Sequence, residues 1–144
     1  MKILNCALII PCFLFCLAAF AEESPLKPQI QGDVTFVSGG IGEAEREALQ
    51  TLKGDYNLNL LFAYKGSGEF MSDVNVRIAD AKGNVLVETF VEGPYLFANL
   101  KPGNYLISAV KDGNEIRQKA KIAGSKTTSL SFYWPLQAGN SGNP

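Results

Sequence analysis

The sequence predicts an all-β fold, a sandwich or barrel of seven or eight short strands with one helix after the first strand. Apolar and polar residues alternate in short runs, as they do in strands that bury one face. Turn signals separate these runs roughly every ten residues, which is typical of sandwiches and barrels. One stretch has helical spacing instead. No repeat of solenoid period is present.

The alternating runs give the strands and the core. The predicted strands cover residues 34–38, 58–64, 74–78, 85–91, 95–100, 105–109, 116–122 and 130–134. Asp80 to Asn84, Pro102-Gly103 and Asp112-Gly113 supply turns between them. The residues expected to point inward between two sheets are Leu58, Leu60, Phe62, Val74, Val76, Ile78, Tyr105, Ile107, Leu130 and Phe132.

Residues 42–53 form the predicted helix, which ends before Gly54. Its apolar face carries Ala48, Leu49 and Leu52. We expect this face to pack on the sandwich and Glu45 and Arg46 to remain in solvent. The glycines at positions 39, 40 and 42 precede the helix and resemble a dinucleotide loop, but Glu43 and Glu45 would repel a pyrophosphate there. A flexible strand-to-helix turn is the preferred interpretation.

The N-terminal residues predict export. Lys2 precedes an apolar stretch over residues 7–20, and Ala19-Phe20-Ala21 forms a small-x-small cleavage site. We expect a signal peptide over residues 1–21, cleaved after Ala21, and a periplasmic or secreted mature protein. The mature chain is expected to have an exposed leader over 22–32, the sandwich over 33–134 and a disordered tail over 135–144.

Composition excludes several chemistries from the mature chain. The sequence has no histidine, and its three cysteines lie at positions 6, 12 and 16, inside the predicted signal peptide. A Ser-His-Asp triad, a cysteine nucleophile and a zinc site with imidazole or thiolate ligands therefore lack their residues. A net charge of −1 disfavours nucleic acid as a partner. We expect no catalytic, metal-binding or cofactor-binding residues, although composition leaves a Ser-Lys dyad open.

The order of motifs from residue 74 to residue 109 resembles the carboxypeptidase regulatory-like domains, which are transthyretin-like. It reads VNVRIADAKGNVLVET and then GPYLFANLKPGNYLISA, with an L-x-P-G-x-Y hairpin at Leu100 to Tyr105. The segments FVSGGIGE and YNLNLLFAYKGSG are similar to those of a subgroup of small exported bacterial proteins. Over residues 34–134, the resemblance implies a Greek-key β-sandwich of about seven strands. It also implies an accessory, binding or structural role without a catalytic domain.

The first candidate binding surface is a basic stripe, Arg117, Lys119 and Lys121, on one face of a predicted strand. Such a stripe could bind anionic lipid headgroups, lipopolysaccharide or an acidic partner. The simpler interpretation is a solvated edge strand whose charges prevent aggregation, and this is the favoured one.

The second candidate is the loop over residues 65–73, in which Phe70 and Met71 stand among flexible residues. Loops on a rigid sandwich often bind partners, but these two side chains could equally cap the core. The partner would be an envelope protein or glycan that the sequence does not identify. The rival function is carbohydrate binding through Tyr133, Tyr56, Tyr95 or Trp134, if these aromatic rings are exposed.

Overall fold

The protein is an all-β sandwich of two sheets in a computed structural model that describes residues 26–136. Nine strands and one α-helix make up this part of the chain. In chain order they are β1 (Gln29–Gln31), β2 (Val34–Gly39), α1 (Glu43–Leu52), β3 (Leu58–Tyr64), β4 (Val74–Asp80), β5 (Val85–Val91), β6 (Tyr95–Asn99), β7 (Gly103–Lys111), β8 (Asn114–Ile122) and β9 (Thr128–Trp134). A 3₁₀ turn, Lys53–Asp55, follows α1.

The strands form a five-stranded sheet in the order β1-β2-β6-β3-β9 and a four-stranded sheet in the order β5-β4-β7-β8. Neighbours pair antiparallel except β3 and β9, which run parallel. The chain passes from one sheet to the other before β4, β6, β7 and β9. These passages place the inner faces of the two sheets against each other.

The main core lies between the sheets and confirms the predicted alternation. Nine of the ten predicted inward residues are buried, and the tenth, Leu130, is partly buried against the same core. Phe62 lies at its centre, with its ring centroid 5.6 Å from that of Phe132 and 6.2 Å from that of Trp134. Such aromatic contacts bury large apolar surfaces, so this cluster holds β3 and β9 in place.

Helix α1 covers the outer face of the five-stranded sheet. Leu49 is buried there against Val37 of β2 and Phe97 of β6, and Ala48 and Leu52 pack partly against the same cluster. The predicted apolar face of the helix is therefore the face that packs. It gives the molecule a second, smaller core on this side.

The expectation that Glu45 and Arg46 lie in solvent is wrong, because both are half-buried. Oε2 of Glu45 accepts hydrogen bonds from the backbone N–H groups of Gly40, at 2.8 Å, and Ile41, at 3.0 Å. The Arg46 guanidinium donates to the Gly40 carbonyl oxygen at 3.4 Å. Backbone groups of the glycine turn before α1 have no partner within a helix or strand. The side chains of Glu45 and Arg46, in the first turn of the helix, form hydrogen bonds with them. The carboxylate also takes the place of the anion that a dinucleotide loop would bind.

Strand β1 was not predicted and lies in the segment 22–32, which the sequence indicated as an exposed leader. It pairs antiparallel with β2, and the preceding Leu26 is only 4% exposed against the core under α1. Ile30 lies between Gln29 and Gln31 and is 72% exposed. Strand β1 therefore has no buried apolar face that a sequence pattern would detect. This segment therefore contributes to the fold from Leu26 onward.

The predicted signal peptide and residues 137–144 of the predicted tail lie outside the described residues. Between residues 26 and 136, the single α-helix is too short and too polar to span a membrane.

Candidate functional site

The basic stripe lies on β8, at the outer edge of the four-stranded sheet. Arg117, Lys119 and Lys121 are all exposed, on the face that points away from the core. The alternation that predicted this face is present, since Ala120 and Ile122 are buried on the other side. The edge position is the one that the charge-protection interpretation requires.

Arg117 is engaged by a neighbouring carboxylate, which separates it from the two lysines. Its Nε donates to Oε1 of Glu115 at 2.8 Å, and one terminal nitrogen donates to Oε2 at 3.3 Å. The hydroxyl of Ser108 on β7 donates to the same carboxylate. The hydrogen bonds from Arg117 and then from Ser108 hold the pKa of Glu115 below its ordinary value, and Glu115 raises the pKa of Arg117. The charges of Arg117 and Glu115 therefore offset each other at this end of the stripe.

Lys119 and Lys121 line a groove of about 630 Å³, which we call the lysine groove. Its apolar lining comes from Ala79 at the end of β4, Ala81 in the following turn and Leu106 of β7. Leu106 is 38% exposed, and neither lysine makes an ion pair with any described residue. The groove therefore combines accessible apolar surface with two ammonium groups.

The turn after β4 fixes one end of the lysine groove. Asp80 accepts hydrogen bonds from the backbone N–H of Lys82 and of Asn84, both at 2.9 Å, and from the Asn84 side chain at 3.1 Å. The bonds from Asn84, above all that from its side chain, hold the pKa of Asp80 below its ordinary value. Gly83 has a φ of 85°, which glycine adopts readily. The carboxylate of Asp80 is thus held by hydrogen bonds within the turn.

Tyr105 forms a second fixed part of the lysine groove. Its hydroxyl donates to the Lys101 carbonyl oxygen at 2.6 Å, and the residue is 8% exposed. Burial raises the pKa of the Tyr105 phenol, and the negative charge of Asp80 raises it further. The ring is therefore a neutral, immobile part of the groove.

The second candidate, the loop over 65–73, does not present its two apolar residues together. Phe70 is 51% exposed, whereas Met71 is 1% exposed and belongs to the main core. Phe70 bridges to Ala63, and the Met71 N–H donates to the Phe62 carbonyl oxygen at 3.0 Å. The loop thus extends the sheet for two residues, so successive side chains face opposite sides. Met71 caps the core and is not a surface contact.

The aromatic residues proposed for sugar binding are also divided. Trp134 is 3% exposed, and its Nε1 donates to the Asn114 carbonyl oxygen at 3.0 Å. Tyr56 is buried under α1, and burial followed by the charge of Asp55 raises its pKa. Tyr133 is 50% exposed on the outer face of β9, and Tyr95 is partly exposed.

The exposed rings of Phe70 and Tyr133 lie on either side of Ala63. The sequence analysis did not predict this arrangement. Ala63 pairs with Tyr133 on β9 and bridges to Phe70 on its other side. Adjacent strands are about 4.8 Å apart, so the two rings flank the strand of Ala63 about 10 Å from each other. Phe70 also contacts Tyr95, with ring centroids 5.6 Å apart. These rings lie on the five-stranded sheet, on the opposite side of the sandwich from the lysine groove.

A second groove, of about 690 Å³, lies at the other end of β7 from the lysine groove. Its lining includes Met71 and Trp134, whose side chains are already buried in the core, together with Glu69, Asp112 and Glu115. Its lining also includes Ile116, Pro135 and Leu136, which is 53% exposed, so it differs from the lysine groove mainly in its carboxylates. We favour the lysine groove as a contact surface because its two ammonium groups have no ion-pair partner among the described residues.

Metal-binding groupings are not formed within residues 26–136. No three or more carboxylates, the only common ligand side chains available there, come together to hold a metal ion. Comparison with protein-family models gives no match to this chain, and comparison with curated proteins gives no significant match.

Proposed function

We propose that this chain is an exported, non-catalytic interaction module of the bacterial cell envelope, built on a carboxypeptidase regulatory-like frame. In this proposal the lysine groove binds an acidic segment of a partner protein. The observation that supports it most is the groove itself, because Leu106, Lys119 and Lys121 offer apolar surface beside two cations without described ion-pair partners.

The charge distribution favours a protein segment over a membrane surface. Binding to anionic lipid headgroups takes clusters of about 4–8 basic residues. Here Arg117 is paired with Glu115, and Arg77 on the same face is paired with Glu88 at 3.0 Å. Of the basic stripe, Lys119 and Lys121 remain, which suits one or two carboxylates on a partner. Their Cα atoms are about 6.6 Å apart along the strand, since they are two residues apart.

The apolar part of the groove supports the same choice. Leu106 and the two alanines would contact an apolar side chain next to the carboxylates of the partner. Exposed ion pairs contribute little affinity alone, so the apolar contact has to supply part of the binding energy. The lysines would then provide orientation and a dependence on salt.

Export is the second part of the proposal. It rests on the apolar stretch over 7–20 and the cleavage site that ends at Ala21. Sequencing the N-terminus of the exported protein should give Glu22 as the first residue. We also expect no lipid on Cys16, because Phe15 precedes it where a lipoprotein site would have a small residue. A mature chain that begins at an acylated Cys16 would contradict both expectations.

Photo-crosslinking in cells tests the groove. A photoreactive phenylalanine analogue at position 106 should crosslink to a partner, and Lys119→Gln with Lys121→Gln should reduce the product. The product should also fall as salt rises from about 0.05 to about 0.5 M in extracts, because screening shortens the reach of the charges.

Three controls make the result specific. The same analogue at Asn75, exposed on the same face near the other end of β4, should not give the product. Arg117→Gln should weaken capture less than the lysine pair does, because Glu115 already holds Arg117. Phe70→Ser should leave capture unchanged. Equal products from positions 75 and 106, or capture unaffected by the lysine changes, would refute the groove as the contact surface.

A further inference from the structure

Strand β8 forms one edge of the four-stranded sheet, and it pairs only with β7 among the described strands. In an antiparallel pair, every second residue directs both backbone groups to its partner strand, and the residues between direct theirs away. The Lys121 carbonyl oxygen accepts a hydrogen bond at 2.9 Å from Oγ1 of Thr128 on β9, so it points away from β7. Arg117 and Lys119 are separated from Lys121 by an even number of residues, so their N–H and C=O groups also point outward.

The hairpin turn between β7 and β8 gives the same direction. Asp112 and Gly113 have φ angles of 49° and 77°, as in a two-residue hairpin turn. The residues on either side of this turn, Lys111 and Asn114, pair with each other. Turns of this kind are closed by a hydrogen bond between those two residues, so the backbone of Asn114 faces β7. The backbone groups at the odd positions up to 121 therefore face outward.

Other edges of the two sheets are blocked at their centres by side chains. Gln31 bonds the N–H and C=O groups of Glu88 on β5, at 3.0 and 3.1 Å. Gln118 donates to the Ser131 carbonyl oxygen on β9 at 2.7 Å. Strand β1, the remaining edge, has only three residues. At the centre of β8, by contrast, no described side chain bonds the outward backbone groups, so this edge is open to another strand.

The charges on this edge select the strand that can pair there. Arg117, Lys119 and Lys121 are exposed on the outer face of β8. If a second copy paired antiparallel through the same edge, centred on Lys119, each Arg117 would lie opposite a Lys121 and the two Lys119 side chains would face each other. Like charges directly opposite destabilise a strand pair, whereas opposite charges stabilise it. The edge therefore disfavours a second copy and favours an acidic strand.

We propose that a partner protein adds an extended segment to β8 as an antiparallel strand, with acidic residues opposite Lys119 and Lys121. In strand addition of this kind, main-chain hydrogen bonds give affinity and alternate side chains give specificity. Both lysines lie between this edge and the lysine groove, and carboxylates two residues apart on a strand match their spacing of about 6.6 Å. The inference rests on the proposed function for the acidic character of the partner, and it adds how the segment is held.

The register defines a probe peptide. A strand antiparallel to β8 lies opposite Lys121 first, and then opposite Lys119, Arg117 and Glu115 at alternate positions. The acetylated and amidated heptapeptide Glu-Val-Glu-Val-Thr-Val-Lys places its glutamates opposite the two lysines and its lysine opposite Glu115. A ¹H–¹⁵N NMR titration should give saturable shifts along β8 with a Kd of about 1 mM or below. Near saturation, hydrogen exchange of the Arg117 and Lys119 amides should slow by about threefold or more, because their N–H groups become bonded.

N-methylation of the peptide separates strand addition from attraction between charges alone. A methyl group on the nitrogen of the second glutamate removes the N–H directed at Lys119, and should weaken binding by about fivefold or more. A methyl group on the nitrogen of the next valine removes an N–H that points away from β8, and should change the Kd by less than about twofold. The charge-exchanged peptide Lys-Val-Lys-Val-Thr-Val-Glu should bind at least about fivefold more weakly. Equal effects of the two methyl groups would overturn the proposal.

Two substitutions at position 119 make a matched pair in the protein. Proline has no N–H and is tolerated on an edge strand where that group faces outward. Lys119→Pro should therefore fold and abolish binding, whereas Lys119→Gln keeps the backbone donor and should weaken binding by about threefold. Phe90→Ala, on the opposite edge strand β5, should bind like the parent protein. If Lys119→Pro fails to fold, the two methylated peptides still decide the question.

Failure of this inference can be told from failure of the lysine groove. Binding that is lost in Lys119→Gln with Lys121→Gln but is insensitive to both methyl groups would keep the groove and overturn the added strand. Binding with the expected dependence on methylation would support the strand even if position 106 gave no crosslink. Absence of saturation, or normal binding by folded Lys119→Pro, would refute it. Dimerisation of the parent protein in sedimentation velocity, with the Arg117 and Lys119 amides protected, would assign the edge to a second copy and also refute it.

Discussion

The side-chain amide of Gln31 bonds both backbone groups of Glu88, donating to its carbonyl oxygen at 3.1 Å and accepting from its N–H at 3.0 Å. Gln31 lies in β1, the edge of the five-stranded sheet, and Glu88 lies in β5, an edge of the four-stranded sheet. One side chain thus joins the two sheets along this side of the sandwich. It also occupies backbone groups that another chain could otherwise pair with.

Replacing Gln31 by Leu should therefore destabilise the domain and expose the β5 edge. Two lost hydrogen bonds should lower the free energy of unfolding by about 1–3 kcal/mol. The variant should also self-associate as its concentration rises, which sedimentation velocity would detect. Gln29→Leu, two residues earlier on the same strand, is the control and should change neither quantity. Identical behaviour of the two variants would contradict this account of the edge.

Phe62 should be one of the most costly core positions to truncate. Its side chain is fully buried between the rings of Phe132 and Trp134. Phe62→Ala should lower the free energy of unfolding in urea by about 3–5 kcal/mol. Phe90→Ala removes the same atoms from a residue that is 52% exposed, and should cost about 0.5 kcal/mol or less. Similar losses for the two variants would contradict the strand register.

Gly93 should not tolerate a side chain. A Cβ at this position would lie 2.2 Å from the Gly39 carbonyl oxygen and 2.3 Å from its carbonyl carbon, so backbone would have to move. Gly93→Ala should cost about 1–3 kcal/mol or more, measured by thermal and urea unfolding. At Gly54 a Cβ would meet nothing within 4 Å, so Gly54→Ala should be neutral or stabilising by up to about 1 kcal/mol. The reverse order would refute the close approach.

Stability should fall with acid partly through Asp80. Its folded pKa is depressed below the ordinary value of 3.8, so its contribution is present above that value. The contribution is lost as the pH falls through the folded pKa. Asp80→Asn should therefore be less stable than the parent at a pH of about 6, and the difference should shrink below a pH of about 4. Urea midpoints across this range measure it, with Asp33→Asn as the exposed control. A difference that grows on acidification would contradict the sign.

Sequence patterns predicted the parts of the fold that depend on local periodicity. Phe62, Val76 and Ile107 are buried because strands alternate, and Leu49 is buried because the helix has one apolar face. Strand β1 was missed since its outward Ile30 and two glutamines resemble a polar leader. Its presence depends on pairing with β2, which is a tertiary contact.

The candidate surfaces were predicted less well, because they depend on neighbours that local patterns do not identify. The spacing of residues along β8 correctly placed the basic side chains on one face. It did not predict the ion pair between Arg117 and Glu115, which depends on the conformations of both side chains. Met71 is buried because the loop pairs with Phe62, a contact between strand and loop. The outward backbone groups of Lys119 become visible only when the order of the strands in the sheet is known.

The parallel pairing of β3 with β9 has a consequence for how the domain reaches its folded state. Leu58 pairs with Thr128, 70 positions further along the chain, and Tyr64 pairs with Trp134 at the same separation. Contacts between distant positions slow folding, because a long loop must close before they form. A chain released before residue 134 would leave β3 unpaired on one side and Phe62 without two of its aromatic neighbours. We therefore expect the domain to complete its folding only after β9, its last strand, has been synthesised.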